Sequence, residues 1–360
     1  MVTQYMDQSI TDDKVSPPFM KKIKERLYRW MRLTSLPVVK VYQGYGNGET
    51  MVVFGHVLGL SPLPRKRYRR NVWTNTLALL RLFMVRPLPG VEVELWFDGE
   101  LRSAVTERDG FFRFQWNPPV MPAPGWHTVE VSLHRDAVKS YYGRIRGQGA
   151  VFVAYPGKYA VISDIDDTFL ISYSTNLRKR LYVLLTENAY SRKPFEGVVR
   201  HYQWLELAGT RNGYPNPFFY VSSSEWNLYD YITDFSTKNL LPRGVYLLNQ
   251  TKSFAQIWRT GQNNHATKFM RITRVIQAFP GRGFILLGDD SQQDPFIYAS
   301  VVAHFPGRVR AVYLRNIHHK NRQAVQAAID AMQAAGVPVC HFIHSHDAIK
   351  HSQHIGLISL

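Results

Sequence analysis

Cysteine is nearly absent from this 360-residue chain, which carries only Cys340. One thiol cannot build a disulfide framework or a thiolate cluster for zinc or iron–sulfur ligation. A reducing compartment is expected, and the chemistry must rest on other side chains. Acidic residues are scarce beside basic ones, 27 Asp and Glu against 44 Lys and Arg, for a formal net charge of +17. Such an imbalance points to a polyanionic partner. Long apolar runs are missing too. The most apolar stretch, Leu77 to Val85, is broken by Arg81 and falls far short of the roughly 20 residues that a spanning helix needs. The opening MVTQYMDQSITDDKVSPP has neither the positive start nor the apolar core of a secretory signal, so a cytoplasmic protein without a transmembrane segment is expected. What is present, 45% apolar and 20% charged residues, suits a folded chain of about two domains.

The positive charge has a location. Between Lys14 and Arg86 there are 15 basic residues and two acidic ones, Glu25 and Glu49, a net of +13. Within it, Phe19 to Leu36 sets Phe19, Met20, Ile23, Leu27, Trp30 and Met31 at spacings of three and four among Lys and Arg, the pattern of a basic amphipathic helix. A second cluster, Arg65 to Arg70 (RKRYRR), runs into the apolar stretch around Leu77 to Val85. Basic and apolar blocks side by side suit an anionic membrane surface, or a helix whose stripe packs on its own domain. Nucleic acid is the less favoured partner, since no recognisable zinc finger, homeodomain or RNA-recognition signature is present.

From Val38 to about Arg135 the chain alternates with a period of two, as in VEVELWF (91–97), FFRFQW (111–116) and HTVEVSL (127–133), with turn residues between. A small antiparallel β-sandwich is expected, and the turn leading into Gly110, Phe111 and Phe112 weakly resembles the repeat of transthyretin-like domains. After about Gly147 continuous apolar runs appear instead: YAVIS (159–163), FFYV (218–221), VYLL (245–248), FILL (284–287) and VRAVYL (309–314). Helix-length segments separate them, at 226–238, 266–279, 295–304 and 321–335. This is the pattern of an α/β domain with a parallel sheet covered on both faces, whose functional groups lie past the carboxyl ends of the strands. The reading divides the chain into a basic N-terminal segment 1–37, a β-sandwich 38–147 with a basic and apolar insert, and an α/β domain 148–360.

Acidic residues gather at two strand ends: Ser163-Asp164-Ile165-Asp166-Asp167-Thr168 after the first, and Gly288-Asp289-Asp290-Ser291-Gln292-Gln293-Asp294 after the fourth. Asp164 and Asp166 face one way along an extended segment. Bringing Asp164 toward Asp289 and Asp290 concentrates negative charge that calls for a cation, and oxygen donors of this kind select Mg²⁺. The second strand ends Ser222-Ser223-Ser224, where hydroxyls and free amides before a helix can hold phosphate. Lys268, near the start of the helix before the fourth strand, supplies an ammonium; Lys252 is the alternative.

Taken in order, DxDxT (Asp164, Asp166, Thr168), Ser222, Lys268 and GDxxxxD (Gly288, Asp289, Asp294) resemble the four-motif signature of the haloacid dehalogenase superfamily. Within it, SDIDDT, FFYVSSSEWNLYD and FILLGDDSQQDPFIY are similar to the catalytic domain of the actin-patch-associated phosphatidate phosphatase family, across roughly Gly157 to Arg315. Glu225 stands where that family's pattern has proline. The resemblance implies a haloacid-dehalogenase-like sheet and a phosphomonoester hydrolase acting on phosphatidate. It implies Asp164 as nucleophile and Asp166 as general acid and then base. Thr168 would support the loop, and Ser222, Ser223 and Lys268 would hold the phosphoryl group. Mg²⁺ would sit among Asp164, Asp166, Asp289, Asp290 and Asp294. The basic and apolar insert between Thr168 and Phe218, which includes Leu177 to Leu185, would serve as a cap or a membrane contact, the alternative being a peripheral helical hairpin packed on the sheet. Two alternatives stand beside this reading: a phosphatase of soluble or protein phosphomonoesters, and a membrane- or nucleic-acid-binding protein with a vestigial enzyme domain. The C-terminal histidines (His341, His344, His346, His351, His354) match no zinc spacing and are expected to be structural or solvated. His318 and His319, after the fifth strand, lie nearer the expected active edge and are unassigned.

Overall fold

The computed structural model describes residues 26, 33–34, 36–62, 81–134, 145–165, 194–210, 213–249, 264–291, 293–317 and 322–359. Asp166, Thr168, Lys252, His318, His319, the Arg65–Arg70 cluster, most of the basic segment 14–32 and the insert 177–185 lie outside the described residues.

Ten strands form the first unit: β1 (Leu33–Thr34), β2 (Val38–Val41), β3 (Gly44–Gly46), β4 (Met51–Pro62), β5 (Arg86–Pro87), β6 (Glu92–Phe97), β7 (Glu100–Val105), β8 (Phe111–Trp116), β9 (Gly125–Leu133) and β10 (Arg146–Val153). They join in one hydrogen-bonded network, in the order β1-β4-β3-β10-β9-β6-β7, with β2, β5 and β8 also pairing β4. Among the described pairs all are antiparallel except β3 with β10, which run parallel, so the unit is mixed where the sequence predicts purely antiparallel pairing. β10 continues to Val153, past the boundary at 147 suggested by the change of period.

The alternation on β4 explains its unbroken MVVF. Met51 and Val53 turn into the core of this unit with Leu95, Phe112, Val131 and Val151. Val52 and Phe54, on the other face, join Tyr42 and Tyr45 in the core shared with the second unit. A strand buried on both faces reads as a continuous apolar run. At that junction the Tyr42 and Trp226 rings stack at 4.3 Å, Tyr45 meets Phe219 edge-on at 5.5 Å, and the Tyr229 hydroxyl accepts from the Gln43 amide at 3.1 Å. Leu82 and Phe83, from the apolar stretch 77–85, pack against the same core.

The second unit is a six-stranded parallel sheet: β11 (Tyr159–Ser163), β12 (Phe218–Glu225), β13 (Val245–Asn249), β14 (Gly283–Asp289), β15 (Val309–Arg315) and β16 (Val339–Phe342). Its helices are α1 (Val198–Glu206), α2 (Tyr229–Lys238), α3 (Asn264–Ala278), α4 (Asp294–His304), α5 (Arg322–Ala334) and α6 (Ser345–His354). The five strands and four helices expected from the sequence are all present; α1, β16 and α6 are additional. Helix α2 begins at Tyr229 rather than at Trp226, because residues 226–228 form a 3₁₀ turn that directs Trp226 onto Tyr42.

The strand order is β13-β12-β11-β14-β15-β16. Numbered within the unit this is 3-2-1-4-5-6, the doubly wound arrangement in which the chain reverses direction of travel between β11 and β14. Right-handed crossovers then place helices on both faces. A crevice forms outside the carboxyl ends of the two central strands, and β14, buried along its whole length, makes the floor beneath it.

Candidate active site

The crevice is where the acidic motifs meet. β11 ends at Ser163, and the Asp164 amide donates to Leu287 O of β14 at 2.7 Å, fixing the carboxylate beside the fourth strand. Asp289 closes β14 and Asp294 opens α4. Asp164, Asp289 and Asp294 are all buried, and each offers a carboxylate oxygen within 4.8 Å of the others. Gly288 makes this approach possible: a Cβ there would lie 2.5 Å from Asp294 Oδ2 and 2.8 Å from Tyr298 Cε2.

Lys268 sits in the first turns of α3, and its ammonium donates to Asp164 Oδ1 at 2.6 Å and to Asp294 Oδ1. Burial alone would lower its pKa, but the two carboxylates outweigh burial and hold it above the usual lysine range. One ammonium among three buried carboxylates leaves excess negative charge. Accordingly burial first, and then Asp294, push the Asp289 carboxyl well above the ordinary carboxylate range. The Ser291 amide donates to Asp289 Oδ1 at 2.6 Å and partly offsets this.

Asp290 is turned elsewhere. Its Oδ1 accepts from the Ile317 amide at 2.7 Å and its Oδ2 lies 3.0 Å from His341 Nε2. Among the sequence-expected metal residues, the structure therefore gathers Asp164, Asp289 and Asp294, and places Asp290 in a hydrogen-bonded tie to β16. The tie depends on β16, an edge strand that no motif in the sequence announces.

Ser222 and Ser223 lie within β12, not beyond it. Ser163 pairs with Tyr220, so in that register Ser222 is level with Ile165, next to Asp164. The β12–β13 register shifts between Val221 and Glu225, and the Ser222 hydroxyl accepts the Ser224 amide at 2.9 Å inside this bulge. Bulges re-aim side chains beside functional sites. Ser222 is fully buried and Ser223 partly so. Arg271, one turn beyond Lys268 on the same helix, was not singled out from the sequence. Its guanidinium donates to Ser222 O at 3.2 Å and to Asn249 Oδ1 at 3.0 Å, tying the bulge to the end of β13. Its spacing of three from Lys268 was the available signal.

The arrangement puts a buried carboxylate, a charged ammonium and an oxygen-donor cluster at the switch point of a doubly wound sheet. The chain is similar to several known proteins. Residues 159–316 match the family model for the catalytic domain of phosphatidate phosphatase APP1. Phosphatidate phosphatase APP1 of Saccharomyces cerevisiae is 26% identical over 160 residues, covering 44% of this chain and 26% of the yeast protein. An uncharacterized protein of Schizosaccharomyces pombe is 25% identical over 160 residues, covering 44% of this chain and 25% of its own length. The chain thus spans about a quarter of the length of these relatives. A carbohydrate acetylesterase from Xanthomonas citri is similar at a TM-score of 0.33 and 10% identity, over 87% of this chain and 73% of that one. A bacterial ice-binding adhesin is similar at a TM-score of 0.19 and 10% identity, over 36% and 38% of the two chains. The resemblance to the phosphatidate phosphatase family that the strand-end motifs carry is borne out: residues 159–316 are similar to the phosphatidate phosphatase APP1 catalytic domain.

Proposed function

We propose that the chain is a phosphomonoester hydrolase that removes phosphate from phosphatidate or a related phospholipid, leaving diacylglycerol or its analogue, and that its α/β unit is of the haloacid dehalogenase type. One observation carries the reading: Asp164, held by the Lys268 ammonium at 2.6 Å, lies in a buried carboxylate cluster at the strand ends. The likeness to APP1 supports the substrate class.

The residues present fit a divalent cation. Asp164, Asp289 and Asp294 supply hard oxygen donors close together, and their charge exceeds what Lys268 offsets. These three would hold Mg²⁺, which when bound neutralises charge on phosphoryl oxygens. In the proposed reaction an Asp164 carboxylate oxygen attacks phosphorus and the bond from phosphorus to the glycerol oxygen breaks, giving an aspartyl-phosphate. Asp166 delivers the proton that the departing alkoxide takes up. It then accepts a proton from the water that hydrolyses the acyl phosphate, releasing inorganic phosphate and restoring Asp164. Ser222 and Ser223 hold phosphoryl oxygens, and the Lys268 ammonium, which donates to Asp164 Oδ1 at 2.6 Å, positions that carboxylate and offsets phosphoryl charge. Thr168 steadies the loop. No helix among the described residues is long and apolar enough to cross a membrane, and the +13 charge between Lys14 and Arg86 would recruit the enzyme to an anionic membrane surface as a peripheral cytoplasmic protein.

The test is phosphate release from phosphatidate in mixed micelles and from a soluble phosphomonoester, with and without Mg²⁺, for wild type and Asp164→Asn. The expected result is Mg²⁺-dependent release from the lipid that falls by on the order of 10³-fold or more in the variant. Release from the soluble ester alone would overturn the lipid substrate, and release that survives Asp164→Asn would overturn the covalent mechanism.

A further inference from the structure

At the opposite edge of the parallel sheet, where β11, β14 and β15 begin, lies a cavity of about 570 Å³ whose lining includes Lys158, Arg282, Arg308 and Arg310 together with Gly281 and Gly307. No acidic residue lines it. Five residue steps along β11 lead from Tyr159 at this end to Asp164 at the other, which places the cavity roughly 16 Å from the carboxylate cluster along the strand direction.

The four cations divide into two pairs. Arg282 is buried and donates to Tyr159 O at 2.7 Å and to Tyr155 O. Arg308 donates to Phe279 O at 2.7 Å and to Arg282 O at 3.1 Å. These two tie the end of α3 to the strand starts, a favourable place for positive charge near a helix C-terminus. Among the described residues Lys158 and Arg310 make no such side-chain bond; both are exposed at the cavity's rim. Among the described residues no carboxylate pairs with any of the four. The wall is shaped for Arg310: a Cβ on Gly283 would lie 2.5 Å from Arg310 Cγ, so the glycine lets the side chain lie across the strand start.

Four basic residues and no acidic one line this concave site, a lining that favours an anion. Guanidinium forks and a lysine ammonium are the donors that match phosphoryl oxygens. One phosphomonoester dianion would balance only half of that charge, and the volume falls in the range of small-molecule sites. We propose that this cavity binds a small anion bearing at least two phosphoryl groups, at a site separate from the catalytic crevice and independent of the phosphatase reading. The phosphoryl groups come either from a free polyphosphorylated solute or from a phosphorylated lipid headgroup.

The test uses the full chain carrying Asp164→Asn, so that nothing is turned over, with and without the added pair Lys158→Gln and Arg310→Gln. Inorganic pyrophosphate and soluble inositol trisphosphate are titrated calorimetrically in buffer free of divalent cations. Phosphatidylcholine vesicles with and without phosphatidylinositol bisphosphate are tested by co-sedimentation. Loss of affinity by about tenfold or more for the soluble probes in the paired variant is expected for a free solute; the same loss confined to the phosphoinositide vesicles identifies a lipid headgroup. Unchanged binding of all three probes overturns the proposal. In the Asp164 background the unfolding midpoint should be unaltered by the pair. In an otherwise wild-type chain KM for a soluble phosphomonoester should be unaltered as well, and a raised KM there would place the two residues in the catalytic crevice and overturn a separate site.

Discussion

Lys268 is a buried cation held between two buried carboxylates, Asp164 and Asp294, with Asp289 beside them. Its removal leaves those charges uncompensated in a low-dielectric site, and breaking such a pair costs about 3–5 kcal/mol. Lys268→Met is therefore expected to lower stability by that amount in urea unfolding with EDTA present. A divalent cation added to the variant should restore part of the loss, because it offsets the same carboxylates; a variant as stable as wild type in EDTA would mean that Lys268 does not neutralise the cluster. Gly288 belongs to the same scale. It keeps the space into which the Asp294 carboxylate fits, which is a packing reason for glycine in the GDxxxxD pattern.

Between helices, α1 packs against the C-terminal α6 through a buried polar group. His201 on α1 shares a 2.8 Å hydrogen bond with Ser352 Oγ on α6, and Tyr313 OH reaches the same hydroxyl at 2.6 Å. Burial, then Arg315 and His351, lower the His201 pKa from 6.5 to about 3. The folded protein therefore keeps this imidazole neutral, whereas the unfolded chain protonates it below pH 6.5. The stability it contributes is complete above that pH and is lost as pH falls toward about 3, at up to about 1.4 kcal/mol per unit. His201→Gln is expected to flatten the acid limb of the unfolding midpoint against pH. An unchanged slope would assign acid sensitivity to other groups.

Across the whole molecule, the β-network and the α/β unit share one apolar core. Tyr42, Tyr45, Val52 and Phe54 of the first unit are buried with Phe219, Trp226 and Phe279 of the second, and a Lys40–Asp230 ion pair at 2.6 Å borders them. A common core predicts a single cooperative unfolding transition. Trp226→Ala removes the ring that stacks on Tyr42 at 4.3 Å and is expected to cost about 3–5 kcal/mol. Differential scanning calorimetry should then show the single peak move down or split in two. If the peak stays single and unmoved, the junction does not couple the units. Since Trp226 lies two residues past Ser224, the β-network also braces the segment expected to hold phosphate.

The sequence by itself determined the parallel strands and the residues at their carboxyl ends, because apolar runs of four to six residues and clustered aspartates are local signals. Asp164, Asp289 and Asp294 were legible for that reason, Lys268 only as one of two candidate lysines, and the structure places the four together. Short or partner-dependent elements were not legible: β16 has four residues, VCHF, with half-buried positions and no alternation to mark it, and α1 and α6 lie outside any motif. Only the tertiary structure decided which acidic residues converge. Asp289 and Asp290 are adjacent in sequence and equal in composition, yet one joins the cluster while the other pairs with His341 on β16. Successive residues of an extended strand point to opposite sides, and what each side meets depends on the strands packed beside it. The doubly wound order, the parallel β3–β10 pair and the basic cavity at the strand starts arise the same way, from contacts between segments far apart in the chain that no local pattern encodes.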